Sequence, residues 1–378
     1  MKVVTAGIGL RAAHILSIFK ETMPEMEIVG FYDPQPTHLH MIGDDVPRFD
    51  DVEQMLEDTQ PDLFFVGSPN CFHLEHIKLG LAAEVPMFSE KPVVTTKADT
   101  MELAGLLAEH GTDQVMVGLV LRYSQHMVDL RAVLDDLGPI TSLEASEHIA
   151  PYHGAFFMRD WRRMIAWSGG FMLEKCCHDL DIYNMVTRSR PTRVASFGGR
   201  KSFIPEFSPT SNTENEIMHR KASFWESVHD AFQSDGDIID CQTAIIQYES
   251  GASLAFHTNL NVPDEHRRFC VMGALGMAEG DFSRGFLKVT ARDGHTVAEH
   301  DYTKGALAKT SAHYGADHMM VADIVAFLRG ETSGLPVGVV DALEAGLAAM
   351  AVDEARISGT IVDMTDTWTE FDSYGLRA

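Results

Sequence analysis

The sequence has few cysteines and no long apolar run, and each shortage argues against a class of protein. Cysteine occupies five of 378 positions, an odd and scattered set that does not predict a disulfide framework: Cys71, Cys176, Cys177, Cys241 and Cys270. No apolar run approaches the roughly 20 residues that span a bilayer. Met1 leads into the strand-like run VVTAGIG without the basic start of a signal peptide. We expect a cytoplasmic protein with reduced thiols and no membrane partner.

Basic residues are also scarce, since 30 Lys and Arg stand against 55 Asp and Glu and give a net charge of −25. Such a surface repels phosphate backbones, and we therefore expect no nucleic-acid partner. The composition is otherwise ordinary for a globular protein, with 45% hydrophobic and 22% charged residues. Because single hydrophobic cores stop growing at about 250–300 residues, a chain of 378 residues predicts two domains.

A glycine motif follows the first predicted strand. The stretch GIGLRA, residues 7–12, stands between a short β-branched run and a helical pattern. In a nucleotide-binding turn the first glycine permits the tight bend, the second lets a pyrophosphate approach the backbone, and the alanine lets helix and strand pack closely. The phosphates then lie on the helix N-terminus, where unpaired N–H groups favour anions. The predicted cofactor contacts here are Gly7, Gly9, Leu10, Arg11 and Ala12.

The second predicted strand, MEIVGFYD, ends at Asp33. An acid at this position can accept hydrogen bonds from the ribose hydroxyls of NAD. The three residues that follow, Pro34, Gln35 and Pro36, supply no cation for a 2′-phosphate. The sequence therefore favours NAD over NADP as the cofactor.

Strand–helix alternation continues through about residue 118 and predicts a doubly wound parallel sheet. The runs PDLFFVGSPN and VPMFSEKPVVT are two further strands with polar tips. Ligands of such sheets bind at the carboxyl ends of the strands. We therefore expect one crevice to be lined, beside the glycine motif, by Ser68, Pro69, Asn70, His73, Glu90 and Lys91.

The series GIGLRA, FYDP, GSPNCFH and SEKP, continued by GGFMLEKCCHDLD, resembles the Gfo/Idh/MocA oxidoreductases, the glucose-fructose oxidoreductase and inositol dehydrogenase group. The resemblance covers essentially the whole chain. Alternating β-rich segments with glycine turns after residue 138 predict a largely antiparallel sheet. We expect an α/β protein with an N-terminal Rossmann domain, residues 1–120. The resemblance implies that the remaining residues, 121–378, form a C-terminal α+β domain with a large, mostly antiparallel open sheet, which we expect to bind substrate and mediate oligomerisation.

The stretch GGFMLEKCCHDLD allows three interpretations: a metal site, a redox cysteine pair, or the acid–base face of a helix. Adjacent helical residues point about 100° apart, so Cys176 and Cys177 are poor joint metal ligands and a poor redox pair. We predict no metal site and interpret the two thiols as small buried groups. Glu174, His178 and Asp181 have the spacing i, i+4, i+7, which places them on one helix face.

The family's usual pattern has two glycines, then Asp, His and Asp. This chain matches it at Gly169, Gly170, His178 and Asp181, but carries Glu174 in place of the first Asp and Cys176 in place of a glycine. The resemblance implies that Lys91, His178 and Glu174 are the catalytic residues.

Further substrate contacts are predicted from the resemblance and from side-chain chemistry. Trp161 can stack on a sugar ring, and Arg162 can hydrogen-bond hydroxyls or a carboxylate. Structural packing is an equal alternative for these two and for Arg122. The remaining candidate positions are Asp181, already placed on the acid–base face, and His313 and Asp317 near a late helix, to which no role is assigned.

The predicted function is an NAD-dependent dehydrogenase that acts on a CH–OH group of a sugar, a polyol such as inositol, or a sugar derivative. The family resemblance implies a homodimer or homotetramer. Three alternatives stay open: an NAD-dependent enzyme that cleaves glycosides, a non-catalytic nucleotide-binding sensor, and an imine or tetrapyrrole reductase.

Overall fold

The computed structural model describes residues 1–304 and 314–377. The described chain divides into two compact units. The first comprises Met1–Tyr123, Ala316–Gly346 and Trp368–Ala378, and the second comprises Ser124–Gly315 and Leu347–Thr367. The domain boundary expected after residue 120 lies close to the first division, but two later segments belong to the first unit.

The first unit contains a six-stranded parallel sheet in the order β3-β2-β1-β4-β5-β6. Its strands are β1 (Lys2–Ala6), β2 (Glu27–Tyr32), β3 (Arg48–Phe49), β4 (Leu63–Val66), β5 (Met87–Ser89) and β6 (Val115–Val117). The helices that alternate with them are α1 (Leu10–Thr22), α2 (Val52–Thr59), α3 (His73–Ala82) and α4 (Lys97–His110).

The central strands are apolar throughout because both faces of this sheet are covered. All four residues of β4 are buried, and the ring of Phe65 stacks on that of Phe88 with centroids 4.7 Å apart. The strand order reverses between β1 and β4. In open α/β sheets that reversal opens a crevice at the carboxyl ends of the two strands, and it places the GIGLRA loop at the position where nucleotides bind.

The second unit contains a nine-stranded sheet in the order β14-β13-β12-β11-β7-β10-β9-β8-β15. Neighbouring strands are antiparallel except β7 and β10, which are parallel. The strands are β7 (Ile140–His148), β8 (Pro191–Gly199), β9 (Cys241–Tyr248), β10 (Ser253–Asn259), β11 (His266–Gly273), β12 (Gly276–Asp281), β13 (Phe286–Ala291), β14 (Thr296–Asp301) and β15 (Val362–Asp363). The predicted fold class is confirmed.

Residues along the central strands of this sheet alternate between buried and exposed. In β10, for example, Leu254 and Phe256 are buried between exposed neighbours. The buried face packs on helices, and the ring of Phe256 lies 6.4 Å from that of Tyr183 on α8. The helices of this unit are α5 (Gln125–Val133), α6 (Pro151–Arg159), α7 (Ile165–Ser168), α8 (Phe171–Thr187) and α9 (Asn212–Met218).

Three late helices complete the described chain: α10 (Ala316–Leu328), α11 (Val339–Ser358) and α12 (Thr365–Asp372). The division between the units falls within α11 and within α12. A bilayer-spanning helix is not found among residues 1–304 and 314–377. The segment between β8 and β9 contains the short helix α9 as well as loops.

Candidate functional site

The loop after β1 has the backbone geometry of a phosphate-binding turn. Gly7 has φ +91°, and a Cβ there would lie 2.5 Å from backbone atoms of Gly67 and Ser68. Position 7 therefore admits only glycine. A Cβ on Gly9 would meet no atom within 4 Å, so the space beside this backbone is open. Close contact of the Ala12 methyl with Gly67 explains the small residue at position 12, since a Cβ on Gly67 would lie 2.6 Å from it.

The N-terminus of α1 fits the phosphates of a dinucleotide. Gly9 is the N-cap residue and supplies no side-chain hydrogen bond to the first turn, which also contains no acidic residue. The first backbone N–H groups of a helix have no partner within the helix, and together with the helix dipole they favour an anion. The backbone at Gly9, Leu10 and Arg11 could hold an anionic group here, since the space beside Gly9 is open.

Asp33 lies at the carboxyl end of β2 and organises the same loop. Its Oδ2 accepts a hydrogen bond from the backbone N–H of Ile8 at 2.7 Å, and its Oδ1 accepts one from Gln35 N–H at 2.7 Å. A carboxylate has about four acceptor sites, so both oxygens can still accept from ribose hydroxyls. One cation nearby was missed: Arg48 donates to the carbonyl of Pro34 at 3.1 Å. Arg48 lies on β3, away from Asp33 in the sequence, so the residues around Asp33 did not point to it.

His73 connects the polar segments that follow β4 and β5 by hydrogen bonds. Its Nδ1 lies 2.8 Å from the carbonyl oxygen of Pro92, and its Nε2 lies 2.8 Å from that of Ser68. The side chain is fully buried. The Ser68 hydroxyl in turn contacts Nδ1 of His76 at 2.9 Å. These contacts give His73 a part in holding two loops at one end of the sheet. Asn70, between those residues, is also buried.

Glu90 and Lys91 follow β5, as predicted. Glu90 is buried, and its Oε1 accepts from Nε of Arg11 at 3.2 Å. Arg11 also donates through Nη1 to Asp317 of α10 at 2.7 Å. Arg11 is therefore positioned by two carboxylates, and Asp317 acquires a role that its place in the sequence did not suggest. His313, the other residue named near the late helix, lies outside the described residues.

In the second unit, two glycines set the start of α8. Gly169 ends α7 with φ +80°, and Gly170 is the N-cap residue of α8 with φ +95°. A Cβ on Gly170 would lie 2.9 Å from a carboxylate oxygen of Asp353. Both positions require a conformation that side chains disfavour, which explains the glycine pair. The turn fixes where the first polar residues of α8 emerge.

Glu174 lies in the first turn of α8 and is held by Arg162. Nε of Arg162 donates to Oε1 of Glu174 at 2.8 Å, and its Nη1 donates to Oδ1 of Asp160 at 2.7 Å. Burial raises the pKa of Asp160, and the Arg162 charge opposes that rise. The guanidinium lies 4.3 Å from the centroid of the Trp161 ring. Of the predicted substrate contacts, Trp161, Arg162 and Glu174 are thus brought together. Asp160 joins them, although no sequence pattern indicated it.

His178 and Asp181 continue the same face of α8, and both are buried. The two cysteines between them and Glu174 are buried as well, as the interpretation of small buried groups expects. Burial raises the pKa of the Cys176 thiol well above its usual value, which makes it a poor nucleophile and a poor metal ligand. Within residues 1–304 and 314–377, no three His, Cys, Asp or Glu side chains converge in a way that would hold a metal ion.

A buried ion network lies on another side of α8 and gave no signal in the sequence. Arg267 of β11 contacts Oδ2 of Asp179 at 2.5 Å and Oε2 of Glu147 at 2.9 Å. Glu147 also pairs with Lys175 at 3.1 Å. These residues come from β7, β11 and α8, so the network fixes α8 on the sheet.

Two further arginines, Arg122 and Arg163, have structural partners. Arg122 is buried in the first unit, where Nη1 donates to the carbonyl of Pro336 at 3.3 Å and Nη2 lies 3.8 Å from Asp341. Arg163 is buried in the second unit and donates to Asp235 at 2.7 Å. These contacts support the packing interpretation of Arg122.

Most of the chain matches one family in two consecutive parts. Residues 1–119 match the GFO_IDH_MocA model, described as "Oxidoreductase family, NAD-binding Rossmann fold". Residues 132–358 match the GFO_IDH_MocA_C model, described as "Oxidoreductase family, C-terminal alpha/beta domain". The chain belongs to this oxidoreductase family, and the resemblance seen in its motifs is confirmed.

Individual relatives are distant. YteT, an oxidoreductase-family protein of Bacillus subtilis (strain 168), is 23% identical over 408 residues, which cover 93% of this chain and 94% of YteT. The scyllo-inositol dehydrogenase of Lactobacillus casei, solved with NAD(H) and scyllo-inositol, has a TM-score of 0.70 at 18% identity. That match covers 96% of this chain and 98% of the other. An oxidoreductase domain protein from Kribbella flavida has a TM-score of 0.75 at 16% identity, with coverage of 96% and 98%. At these identities the solved structures show the shared fold.

Proposed function

We propose that the protein is an NAD-dependent dehydrogenase that oxidises a CH–OH group of a sugar, a polyol or a close derivative. The observation that carries this proposal is the buried face of α8, where Glu174, His178 and Asp181 lie within the family's C-terminal domain. A polyhydroxylated substrate needs many hydrogen-bond partners, which clustered carboxylates and an imidazole supply. The Lactobacillus casei structure, which holds NAD(H) and scyllo-inositol, supports this class of substrate.

Each candidate catalytic residue has a distinct part in the proposed reaction. His178 takes the proton of the reacting hydroxyl as general base, because an imidazole titrates near neutrality. Lys91 stabilises the developing alkoxide by charge and hydrogen bond. Glu174, fixed by Arg162, holds a neighbouring hydroxyl or orients the imidazole. NAD, when bound, accepts the hydride.

We further propose NAD rather than NADP as the cofactor. The Asp33 carboxylate accepts hydrogen bonds, so it suits free ribose hydroxyls and repels a 2′-phosphate. Arg48 is the group that would favour NADP, since its guanidinium bonds to the carbonyl of Pro34 beside Asp33. Titration with NADH and NADPH shows whether the Asp33 carboxylate or the Arg48 guanidinium determines which cofactor binds more tightly. Tighter binding of NADH supports the proposal, and tighter binding of NADPH contradicts it.

The function is tested by following NADH absorbance with aldoses, polyols, inositols and uronic acids, together with mass spectrometry for copurified nucleotide. We expect NADH formation with members of one of these classes. Lys91→Ala and His178→Asn should each reduce turnover by about 10²–10⁴ with NADH affinity retained. For His178→Asn, the rise of rate with pH should also disappear.

Three outcomes would overturn the proposal. If Lys91→Ala keeps wild-type turnover, Lys91 does not stabilise the alkoxide as proposed. Glycoside cleavage with retained NAD and no net NADH indicates the glycoside-cleaving alternative. Bound nucleotide without turnover on any compound indicates a sensor.

A further inference from the structure

A half-buried ammonium without an ion-pair partner lies in the second unit. Lys221 belongs to the segment between β8 and β9, and its Nζ lies 5.4 Å from the centroid of the Phe156 ring. No carboxylate of the described residues forms an ion pair with it. Burial, followed by the charges of Lys175 and Arg162, lowers the pKa of Lys221 from 10.5 to about 8, and Glu265 acts in the opposite direction. A partly desolvated cation is stabilised by an anion beside it.

The other cations around Lys221 already have carboxylate partners. These pairs are Arg162 with Asp160 and Glu174, Lys175 with Glu147, and Arg267 with Glu147 and Asp179. The adjacent Arg220 is exposed and lies over the Tyr152 ring, 5.0 Å from its centroid. Lys221 is therefore a half-buried positive charge that this network does not neutralise.

The position of Lys221 is fixed by its surroundings. Arg159, which is buried on α6, donates from Nη2 to the backbone carbonyls of Lys221 and of Met218, the latter at 3.3 Å. Tyr152 and Phe156 lie one turn apart on α6 and face Arg220 and Lys221 respectively. A side chain whose backbone is held in this way loses less conformational entropy when it binds a ligand.

Lys221 also lies beside the group that positions Glu174. The guanidinium of Arg162 lies 5.5 Å from the centroid of the same Phe156 ring. Its Nε and Nη1 bond to Glu174 and Asp160, while its Nη2 has no acceptor among the described residues. The Lys221 ammonium and the Arg162 guanidinium thus lie near the same aromatic ring. The ammonium and Nη2 of Arg162 can both donate hydrogen bonds to a ligand beside Glu174, a candidate catalytic residue.

We propose that Lys221 binds a carboxylate of the substrate, with Arg162 as a second donor, so that the substrate class is a sugar acid or a carboxylated polyol. The inference rests on the proposed function, because it adds an anion subsite to the same substrate site. One unneutralised positive charge matches one carboxylate. A phosphate dianion would need a second unpaired cation, and Arg162 is already neutralised by two acids.

The test measures binding by calorimetry, so it does not depend on turnover. The probes are D-glucuronate, its uncharged methyl ester and glucose 6-phosphate, each titrated into the full chain saturated with NADH. We expect glucuronate to bind about tenfold or more tightly than the ester at pH 7. This preference should decline as the pH rises above about 8, because the ammonium of Lys221 then loses its proton. The positive charge of Arg162 remains over that range, because a guanidinium keeps its proton.

The variant Lys221→Met should abolish the preference for glucuronate and leave the affinity of the ester unchanged, and Lys221→Arg should restore part of it. Lys201→Met, an exposed lysine of the same segment, is the matched control and should keep the preference. A preference that persists in Lys221→Met, or at pH 9.5 in the wild type, overturns the inference. Tighter binding of glucose 6-phosphate also overturns it.

Failure of this inference is distinguishable from failure of the proposed function. NADH formation with neutral polyols and no glucuronate preference leaves the dehydrogenase intact and removes the carboxylate subsite. The pH series on the wild-type protein decides the question even if Lys221→Met does not fold.

Discussion

The proposed cofactor loop, residues 7–12 of the first unit, and the region around α8 in the second unit are shaped by different chemical groups. Around Gly7 and Gly9 the loop is shaped by backbone N–H groups and by glycines, which have no side chain. A Cβ on Gly7 would clash with Gly67. Around α8 it is shaped by charged side chains in buried pairs, such as Arg267 with Asp179. We therefore expect added volume at Gly7 to destabilise the first region, and removal of a buried charge to destabilise the second.

The largest effect that tests this difference is expected at Arg267. Arg267→Met leaves two buried carboxylates, Asp179 and Glu147, without their shared cation. Breaking a buried pair in this way costs about 3–5 kcal/mol in the free energy of unfolding. Urea unfolding followed by tryptophan fluorescence measures it, because three of the four tryptophans lie in the second unit: Trp161, Trp167 and Trp225.

The matched control for this measurement is Arg188→Met. Arg188 pairs with Asp135 at 2.6 Å, but both side chains are exposed. Exposed pairs contribute at most about 1 kcal/mol. Equal losses for Arg267→Met and Arg188→Met would show that burial of the charge network does not stabilise α8.

An intermediate effect is expected at Gly7. Gly7→Ala introduces a methyl at φ +91°, within 2.5 Å of backbone atoms of Gly67 and Ser68. Strain of this kind costs about 1–3 kcal/mol, and the displaced loop should also lose affinity for NADH. Thermal unfolding and NADH titration measure the two losses. An unchanged Tm would contradict the explanation that a side chain at position 7 clashes with Gly67 and Ser68.

The smallest effect on stability is expected at Gly9. Gly9→Ala adds a methyl that meets no atom within 4 Å, at an ordinary φ of −74°. The Tm should stay unchanged, while NADH should bind at least about tenfold more weakly because the methyl occupies the space for the phosphates. Unaltered NADH affinity in a folded Gly9→Ala protein would mean that the phosphates do not lie there.

The cofactor loop could be predicted from the sequence because its geometry is local. Gly7, Gly9 and Ala12 are close in the chain, and the strand before them and the helix after them are each visible as a short pattern. Glu174, His178 and Asp181 were also predicted on one face, because helical spacing alone determines it. The fold class followed from strand–helix alternation in one half and β-rich segments in the other.

The partners of these residues could not be predicted in the same way. Arg162 holds Glu174 from 12 positions away, Arg11 bonds to Asp317 across 306, and Arg267 reaches Asp179 across 88. No periodicity connects such positions, and each pair forms only when sheet and helices are packed. Lys221 was missed for a related reason, since its segment is polar like a solvated loop and only packing against α6 leaves its charge half-buried.

The central claim is that the first unit binds the dinucleotide and α8 carries the proton transfer. The single-turnover rate of NADH formation at saturating NAD, measured for Asp33→Asn and His178→Asn with the best substrate, tests it most directly. We predict a near wild-type rate for Asp33→Asn, whose loss is in NAD affinity, and a rate reduced by about 10² or more for His178→Asn. Equal rates in the two variants, or a fast His178→Asn protein, would contradict the account.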